Sequence, residues 1–373
     1  MLKQLDITNF TAFADASFTF SPGLNVVLGA NGTGKTHLLK LGYLFTRAWP
    51  DFANKRLPLL ERRAEGYFED RLMGLFRPER LEHLLRQGTT GQTAIAAEVT
   101  SCENAIAIED AVERSLSWPP DTQRDLTWQL VFKQEDGEEV ALRATRLPQG
   151  DPLLPAQPSP LFIPSKEIVS LFDGLIALFE TYKIPLDETY RDLAVAMTVP
   201  ESMMPSDLLS QMIEYTSQIV GGELILEKGK LRLRQTDGKL SDVSLMAEGY
   251  RKLGLLLYLV RRNVIQPQST LFWDEPEANL NPELMRPMVE GIVGLAARGV
   301  QVILATHSLF MLREIEILLR EAAYSKVPRA FFALAPSKQG VKVAQGASFE
   351  DVDPILSLDA DLAQSDRFMD VMD

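Results

Sequence analysis

The stretch GANGTGKT, from Gly29 to Thr36, decides the fold class, and it lies between two apolar runs. The run before it has the texture of a buried strand, and the run after it has helical spacing. The stretch fits the G-x-x-x-x-G-K-[ST] phosphate-binding loop at every fixed position, in the strand–loop–helix context that this loop requires. The sequence therefore predicts a nucleotide-binding α/β domain, and the alternative is a Gly-rich turn with a chance Lys-Thr pair.

The residue types in this loop suit a nucleoside triphosphate. Glycines allow a tight turn that directs backbone N–H groups and the positive end of a helix at phosphates. Lys35 would reach the β- and γ-phosphates, and the Thr36 hydroxyl would bind Mg²⁺. We therefore predict ATP and Mg²⁺ as cofactors. The predicted nucleotide-binding residues are Gly29, Ala30, Asn31, Gly32, Thr33, Gly34, Lys35, Thr36 and His37.

Composition narrows the class of protein. The 373 residues suffice for one large domain or two to three small ones, and the formal net charge of −13 argues against a surface dominated by non-specific attraction to nucleic acid. The single cysteine, Cys102, excludes a disulfide within the chain. The N-terminus lacks an apolar signal core, and no apolar run is long enough to span a membrane. We expect a cytoplasmic protein without a membrane partner.

Apolar periodicity gives a coarse map of strands and helices before the last third of the chain. Strands are predicted at residues 2–10, 16–20, 93–100, 105–108, 127–133, 139–147, 161–163, 224–226 and 231–233. Helices are predicted at residues 38–47, 165–182, 187–197 and 206–220. The last third alternates apolar strands with amphipathic helices, which is typical of an α/β fold.

One stretch is locally basic. Residues 50–90 contain Arg56, Arg62, Arg63, Arg71, Arg77, Arg80 and Arg86. Acidic residues are interleaved with these arginines, which favours a solvated helix face with paired charges. The alternative is a surface for nucleic acid or a protein partner.

A second set of candidate catalytic residues follows a predicted buried strand at 270–273. The strand ends in Asp274 and Glu275, an arrangement in which the first acid orients the Mg²⁺ shell and the second polarises the attacking water. The alternative is a buried strand that ends in two acids by chance. The phosphate-binding loop upstream favours the catalytic interpretation.

The run DEPEANLNP from Asp274, the run ATHS from Ala305 and the opening ITNFTAF…SPGLNVVLGANGTGKT resemble the ABC-type ATPase heads of the RecF, SMC and OLD-like group. This resemblance implies a P-loop NTPase head with a mixed sheet and helices, an antiparallel β subdomain and a helical insertion. It implies that Asn281 lies at the D-loop position and that His307 is the switch histidine that contacts the γ-phosphate. A structural role is the alternative for a lone histidine at a strand end.

The resemblance also divides the chain into three parts. Residues 1–165 would form a first ATPase lobe with the phosphate-binding loop and the antiparallel β region. Residues 166–240 would form the helical insertion, and residues 241–373 a second ATPase lobe with the acids and the switch histidine.

In this group a Ser-x-Gly signature motif at the start of a helix reaches the γ-phosphate of a partner subunit. The matching stretch here is LMAEGYRK from Leu245, with Ala247 where the serine would stand. Gly249 and the helix N-terminus could still approach the phosphate, and Arg251 or Lys252 could supply charge. Ser244 is an alternative source of the hydroxyl.

The segment LFIPSKE from Leu161 resembles the strand and turn that enter the glutamine loop of these heads, although no glutamine is present. The resemblance places Glu167 or Lys166 near Mg²⁺ and the attacking water, and we predict Glu167 as a metal-site residue. The alternative is helix capping by Ser165 and Glu167.

Long coiled-coil arms and an appended nuclease domain, which SMC and OLD-type proteins carry, are not predicted. The motifs resemble stand-alone ATPase subunits of bacterial anti-phage systems such as the PARIS type. That resemblance implies an ATP-dependent head-to-tail homodimer and a separate effector, such as a nuclease or toxin. The alternatives are a RecF-like DNA-repair ATPase on duplex DNA and a non-hydrolysing ATP-dependent scaffold.

Overall fold

The computed structural model describes residues 1–54, 61–88, 92–100, 125–133, 140–147, 158–200 and 216–372. The predicted strand at 105–108 and most of the predicted helix at 206–220 lie outside these residues, and residues 216–220 are helical. The strands are β1 (Leu2–Phe10), β2 (Phe13–Thr19), β3 (Leu24–Gly29), β4 (Thr93–Thr100), β5 (Asp125–Lys133), β6 (Ala141–Leu147), β7 (Leu161–Ile163), β8 (Gly222–Glu227), β9 (Lys230–Gln235), β10 (Leu240–Asp242), β11 (Thr270–Asp274), β12 (Gln301–Thr306), β13 (Arg329–Ser337) and β14 (Gly340–Gly346). The helices are α1 (Lys35–Asn54), α2 (Glu61–Phe76), α3 (Leu175–Thr181), α4 (Glu188–Met197), α5 (Glu248–Arg261), α6 (Pro282–Ala296), α7 (Leu309–Arg320) and α8 (Leu356–Met372).

A six-stranded mixed sheet carries the phosphate-binding loop. Its strand order is β14-β13-β3-β12-β11-β7, and only the β13–β14 pair is antiparallel. Strands β11 and β12 are buried at every position, because layers cover both faces of the sheet. Parallel pairing brings the carboxyl ends of β3, β11 and β12 to one edge, where the predicted site residues lie.

A five-stranded antiparallel sheet confirms the predicted β subdomain. Its order is β2-β1-β4-β5-β6, so the hairpin predicted at 127–147 pairs as expected. A smaller antiparallel sheet, β10-β9-β8, lies in the part predicted as the helical insertion. The three-part division of the chain stays a prediction.

Helix α1 lies between the two large sheets and is longer than the helix predicted at 38–47. At Gly42, a Cβ would lie 2.8 Å from the Phe272 ring on β11 and 2.9 Å from the Leu2 side chain on β1. The helix therefore touches both sheets at a position where only glycine has room. On the opposite face of the six-stranded sheet, α4, α5, α6 and α7 close a second apolar core.

One helix boundary corrects the sequence prediction, and two 3₁₀ turns accompany the helices. The helix predicted at 165–182 is wrong over its first half: residues 164–174 are irregular, and α3 begins after Gly174, whose φ of 79° interrupts helical geometry. Helix α5 begins at Glu248, after a 3₁₀ turn at Val243–Leu245. Leu81–Leu84 is also a 3₁₀ turn. No described helix has the length and apolar character needed to cross a membrane.

The basic stretch is partly internal. The Arg71 side chain, 12% exposed, forms ion pairs with Asp192 and Glu188 on α4, each at 2.6 Å. Asp192 also accepts a 2.7 Å hydrogen bond from Tyr43 on α1. This network ties α1, α2 and α4 together, which agrees with the paired-charge interpretation at this arginine, while Arg63, Arg77 and Arg80 are exposed.

Replacing Gly42 by alanine should destabilise the protein, because the added methyl group has no space between the two sheets. Overpacking of this kind costs about 1–3 kcal/mol, more than the gain in helix propensity. Gly66, exposed on α2, is the matched control, because a Cβ there meets nothing within 4 Å. Chemical denaturation should show a lower free energy of unfolding for Gly42→Ala only. Equal stability of Gly42→Ala and the wild type would contradict this packing.

Candidate nucleotide-binding site

The phosphate-binding loop connects the carboxyl end of β3 to the first turn of α1. Gly32 and Gly34 have φ values of 81° and 87°, which side chains rarely adopt. A Cβ at Gly34 would also lie 2.9 Å from the Phe13 ring. Both constraints favour glycine at these positions, and the resulting turn leads directly into a helix N-terminus. The loop therefore has the backbone that a phosphate cradle requires.

Lys35 is held at the centre of this loop although it is only 5% exposed. Its ammonium donates hydrogen bonds to the Gly29 carbonyl at 2.8 Å and the Ala30 carbonyl at 3.0 Å. Burial lowers the pKa of Lys35, and the charges of Glu275 and Asp274 oppose that shift. A buried cation inside a loop of N–H donors is an environment that attracts an anion such as phosphate.

The predicted metal-site pair is in direct contact. The Thr36 hydroxyl donates a 2.8 Å hydrogen bond to Asp274 Oδ2. The other carboxylate oxygen, Oδ1, is buried and has no hydrogen-bond partner among the described residues. Hard oxygen donors of this kind fit Mg²⁺, which is usually bound by one or two protein groups together with substrate phosphates. In the described ranges, no three or more His, Cys, Asp or Glu residues cluster as a metal site of their own.

Burial also makes Asp274 unusual. It is 5% exposed, and desolvation raises its pKa to about 6, although the hydrogen bond from Thr36 lowers it and the charge of Glu275 raises it further. A carboxylate that is costly to ionise when alone gains from a nearby cation. The site thus fits the Mg²⁺ ion that the sequence predicts.

Glu275 and His307 lie side by side. Glu275 follows β11 with a φ of 48°, and its carboxylate Oε1 lies 3.3 Å from His307 Nδ1. The side chains are 27% and 48% exposed, so both face the surface beside the loop rather than the core. A positive φ at a glutamate is strained, and such strain is frequent at functional sites.

Sequence reasoning missed Glu277, which lies beside this pair. Its side chain is 5% exposed, and its Oε1 accepts hydrogen bonds from the Thr306 hydroxyl at 2.6 Å and the His307 N–H at 3.2 Å. The signal was a third acid within DEPE, in a turn where charged residues are normally solvated. Only the fold reveals that this acid is buried.

Asn281 caps helix α6. Its side-chain oxygen accepts a 3.0 Å hydrogen bond from the Leu284 N–H, which is an ordinary N-cap interaction. The residue is exposed, and its place at the D-loop position, as a nucleotide-binding residue, stays a prediction.

The stretch LMAEGYRK from Leu245, here called the signature-like segment, has both exposed and buried residues. Ala247 is the exposed N-cap residue of α5, without a side-chain hydrogen bond, and the Leu245 side chain is 82% exposed. Gly249 is buried, and a Cβ at this position would lie only 2.7 Å from the Leu284 side chain. Its lack of a side chain therefore serves contact with α6, and a phosphate contact by Gly249 stays a prediction. Ser244, the alternative hydroxyl, is exposed.

The cations of this segment are paired within the chain. Lys252 is buried and donates a 2.6 Å hydrogen bond to the Ala278 carbonyl. Arg251 forms a 2.8 Å ion pair with Glu167, whose side chain is only 5% exposed. Glu167 thus neutralises an arginine, and it also accepts a 3.0 Å hydrogen bond from the Ser170 N–H. No helix begins at Ser165, so the alternative of helix capping does not apply there.

Glu167 and Lys166 nevertheless line a cavity of about 410 Å³ that reaches Glu275. This cavity has room for the attacking water that the sequence analysis places near them. The metal role of Glu167 stays a prediction.

His37 differs from the rest of the loop. Its ring packs edge-on against Phe76 at 5.3 Å, and burial lowers its pKa to about 4. A nucleotide contact by His37 stays a prediction.

Asp274→Asn should stabilise the nucleotide-free protein at pH 8, because it removes a charge that burial disfavours. The folded-state pKa of about 6 is above the ordinary value of 3.8. Folding therefore favours the protonated acid, and its contribution to stability is complete below about pH 4 and lost as pH rises through about 6. Thermal unfolding should show a gain in Tm for the variant at pH 8 that shrinks toward pH 4.

The control for this experiment is Asp366→Asn, which changes an exposed acid on α8. It should leave Tm unchanged at both pH values. A lower Tm for Asp274→Asn at pH 8 would show that burial does not disfavour this charge.

Two family descriptions match the chain. The family described as "AAA domain, putative AbiEii toxin, Type IV TA system" matches residues 122–313, just over half of the chain. A family described as "AAA domain" matches residues 4–56, which include the whole phosphate-binding loop.

Short segments are similar to DNA replication and repair protein RecF of two bacteria. The RecF of Renibacterium salmoninarum is 48% identical over 44 residues, which are 12% of this chain and 11% of the relative. The RecF of Streptococcus thermophilus is 40% identical over 58 residues, which are 15% of this chain and 16% of the relative. The chain therefore matches less than a fifth of the length of these relatives.

Two solved structures share the fold. The SMC head bound to the C-winged helix domain of ScpA has a TM-score of 0.54 at 13% identity, over 94% of this chain and 98% of that chain. The Smc head with an extended coiled coil, bound to the C-terminal domain of ScpA derived from Pyrococcus furiosus, has a TM-score of 0.50 at 13% identity, over 98% and 99%. These matches confirm an SMC head-like P-loop fold. Because one description covers more than half of the residues, the chain belongs to the family described as "AAA domain, putative AbiEii toxin, Type IV TA system".

Proposed function

We propose that the protein binds ATP with Mg²⁺ and hydrolyses it. The observation that supports this most strongly is the hydrogen bond between Thr36 and Asp274. It brings the loop expected to hold the phosphates against the strand end expected to hold the metal shell, and Glu275 and His307 lie beside it. Nucleotide positioning and water activation then occur at one edge of one sheet.

The residues divide the work by position and charge. The N–H groups of the loop and the Lys35 ammonium stabilise negative charge on the phosphates. Glu275 orients and polarises the attacking water, and His307 contacts the γ-phosphate. Mg²⁺ bound near Thr36 and Asp274 would neutralise charge that develops between the β- and γ-phosphates.

We further propose that ATP gates a head-to-tail homodimer. The exposed Ala247 and Leu245 support this, because a segment that serves a partner's nucleotide has to be accessible. Glycines and a helix N-terminus can approach an anion without a hydroxyl, so Ala247 does not prevent binding in trans.

A role in controlling a separate effector, such as a nuclease or toxin in bacterial anti-phage defence, completes the proposal. It rests on the likeness of the motifs to PARIS-type ATPase subunits and on the family description, which names a toxin and a Type IV TA system. In this setting the ATP-bound oligomer would restrain the effector as a scaffold, and reopening would release it.

Lys35→Ala should abolish ATP binding and turnover, because the loop loses its only buried cation within the described residues. Glu275→Gln should retain ATP binding and lower kcat by about 10²-fold or more, because a neutral amide does not activate water. Isothermal titration and phosphate release measure these effects. Lys326→Ala, which changes an exposed residue in the turn before β13, is the control. Turnover equal to wild type in Lys35→Ala would refute the proposed ATPase.

Leu245→Asp should weaken ATP-dependent dimers without changing ATP affinity, because a charge would replace an apolar contact at the proposed interface. Light scattering of Glu275→Gln protein with ATP, with and without this change, is the measurement. Ile317→Asp on α7 is the control, because Ile317 is also exposed, at 56%, but lies outside the signature-like segment. Dimers of equal stability in both variants would argue against this interface.

Two other functions remain in competition. The similarity to RecF favours a DNA-repair ATPase, for which duplex DNA binding should fall steeply with salt and depend on Arg63, Arg77 and Arg80. The alanine at 247 favours a non-hydrolysing scaffold, which would form ATP-dependent oligomers without phosphate release. Filter binding across salt concentrations and the turnover assay separate both from the leading proposal.

A further inference from the structure

Glu277 is buried, charged and adjacent to the proposed catalytic pair without being one of its members. Burying a carboxylate costs several kcal/mol unless its oxygens are satisfied. Oε1 has two hydrogen-bond donors, the Thr306 hydroxyl and the His307 N–H, whereas Oε2 is buried without a partner among the described residues. Such an incompletely satisfied acid is a costly way to stabilise a turn, which suggests a functional reason.

The contacts of Glu277 converge on His307. Besides the hydrogen bond from the His307 backbone, Glu277 Oε1 lies 3.7 Å from Nδ1 of the imidazole. The Thr306 hydroxyl donates to Glu277 and accepts a 3.0 Å hydrogen bond from the Ser308 N–H. The Glu277 carboxylate thus fixes the Thr306 side chain and the His307 backbone. Through Thr306 it also fixes the backbone of Ser308.

The carboxylates also determine which ring nitrogen is a donor. Nδ1 lies 3.3 Å from Glu275 Oε1 and 3.7 Å from Glu277 Oε1, and a carboxylate oxygen can face a ring nitrogen only as an acceptor. The proton on Nδ1 is therefore favoured, and the Nε2 side of the ring is left for other contacts. A second carboxylate that orients a functional histidine is a common arrangement in proteins.

We propose that Glu277 is a positioning residue that holds His307 against Glu275. The expected effect on kcat rests on the proposed ATP hydrolysis. The expected effect on the position of His307 does not. Glu277 touches neither nucleotide nor water in this scheme. Its removal would free the His307 backbone and ring, so that the pair no longer presents a fixed geometry to the γ-phosphate.

Steady-state kinetics with a double-mutant cycle test the proposal. Glu277→Ala and His307→Ala should each lower kcat by about 10- to 100-fold, with little change in ATP affinity. The double variant should be no slower than His307→Ala, because Glu277 acts through that histidine. Glu277→Gln should recover most of the activity, since its amide oxygen accepts the same hydrogen bonds. Multiplicative losses in the double variant would overturn the proposal.

A spectroscopic test needs no turnover. The chain has three histidines, so ¹⁵N–¹H spectra of the imidazoles are readily assigned with His307→Ala. Glu277→Ala should shift the His307 ring nitrogens toward a mixture of tautomers and leave those of His37 and His83 unchanged. Unchanged His307 signals would overturn the positioning role. Absent ATP turnover in the wild type would refute the proposed function only, because the spectra still decide this question.

Asp192→Asn is the matched control. Asp192 is another buried carboxylate with hydroxyl and cationic partners, Tyr43 and Arg71, but it lies in the network between α1, α2 and α4. It should lower Tm, leave the His307 signals in place and combine multiplicatively with His307→Ala in any effect on kcat. The same non-additivity in this control would show that the Glu277 result reflects general destabilisation, and would overturn the proposal.

Discussion

The hydrogen bond from Thr36 to Asp274 is the contact on which the site depends. It joins residues 238 positions apart, at the start of α1 and the end of β11. The contact forms only because β3 and β11 run parallel, with β12 between them, and α1 is fixed between two sheets. The geometry of the candidate magnesium site therefore depends on how α1 packs between the two sheets.

Buried charge is concentrated around this contact. Lys35, Asp274, Glu277 and Lys252 are each less than a tenth exposed. Isolated charges in such places would be strongly unfavourable, and their mutual proximity offsets only part of that cost. A protein keeps such a cluster for chemistry rather than stability, and a nucleotide with its metal ion supplies charges that complement it.

The signature-like segment is connected to the site of its own chain. Gly249 packs against the side chains of Leu280 and Leu284, Lys252 donates to the Ala278 carbonyl, and the Asn279 amide donates a 2.9 Å hydrogen bond to Glu248. These contacts link the start of α5 to the turn that follows Glu275 and Glu277. In the proposed dimer, a change in one nucleotide site would thus reach the segment that serves the other.

The sequence by itself determined the phosphate-binding loop, the acids at the end of β11, most strands and the order of elements, because these follow from local periodicity and short motifs with fixed spacing. The tertiary structure decided which charges are buried and paired. It directed Arg251 to Glu167, Lys252 to Ala278 and Glu277 to His307, and it replaced the predicted helix after Ser165 with irregular backbone. Such pairings join residues from separate elements, so burial and charge compensation are fixed only when the sheets and helices pack.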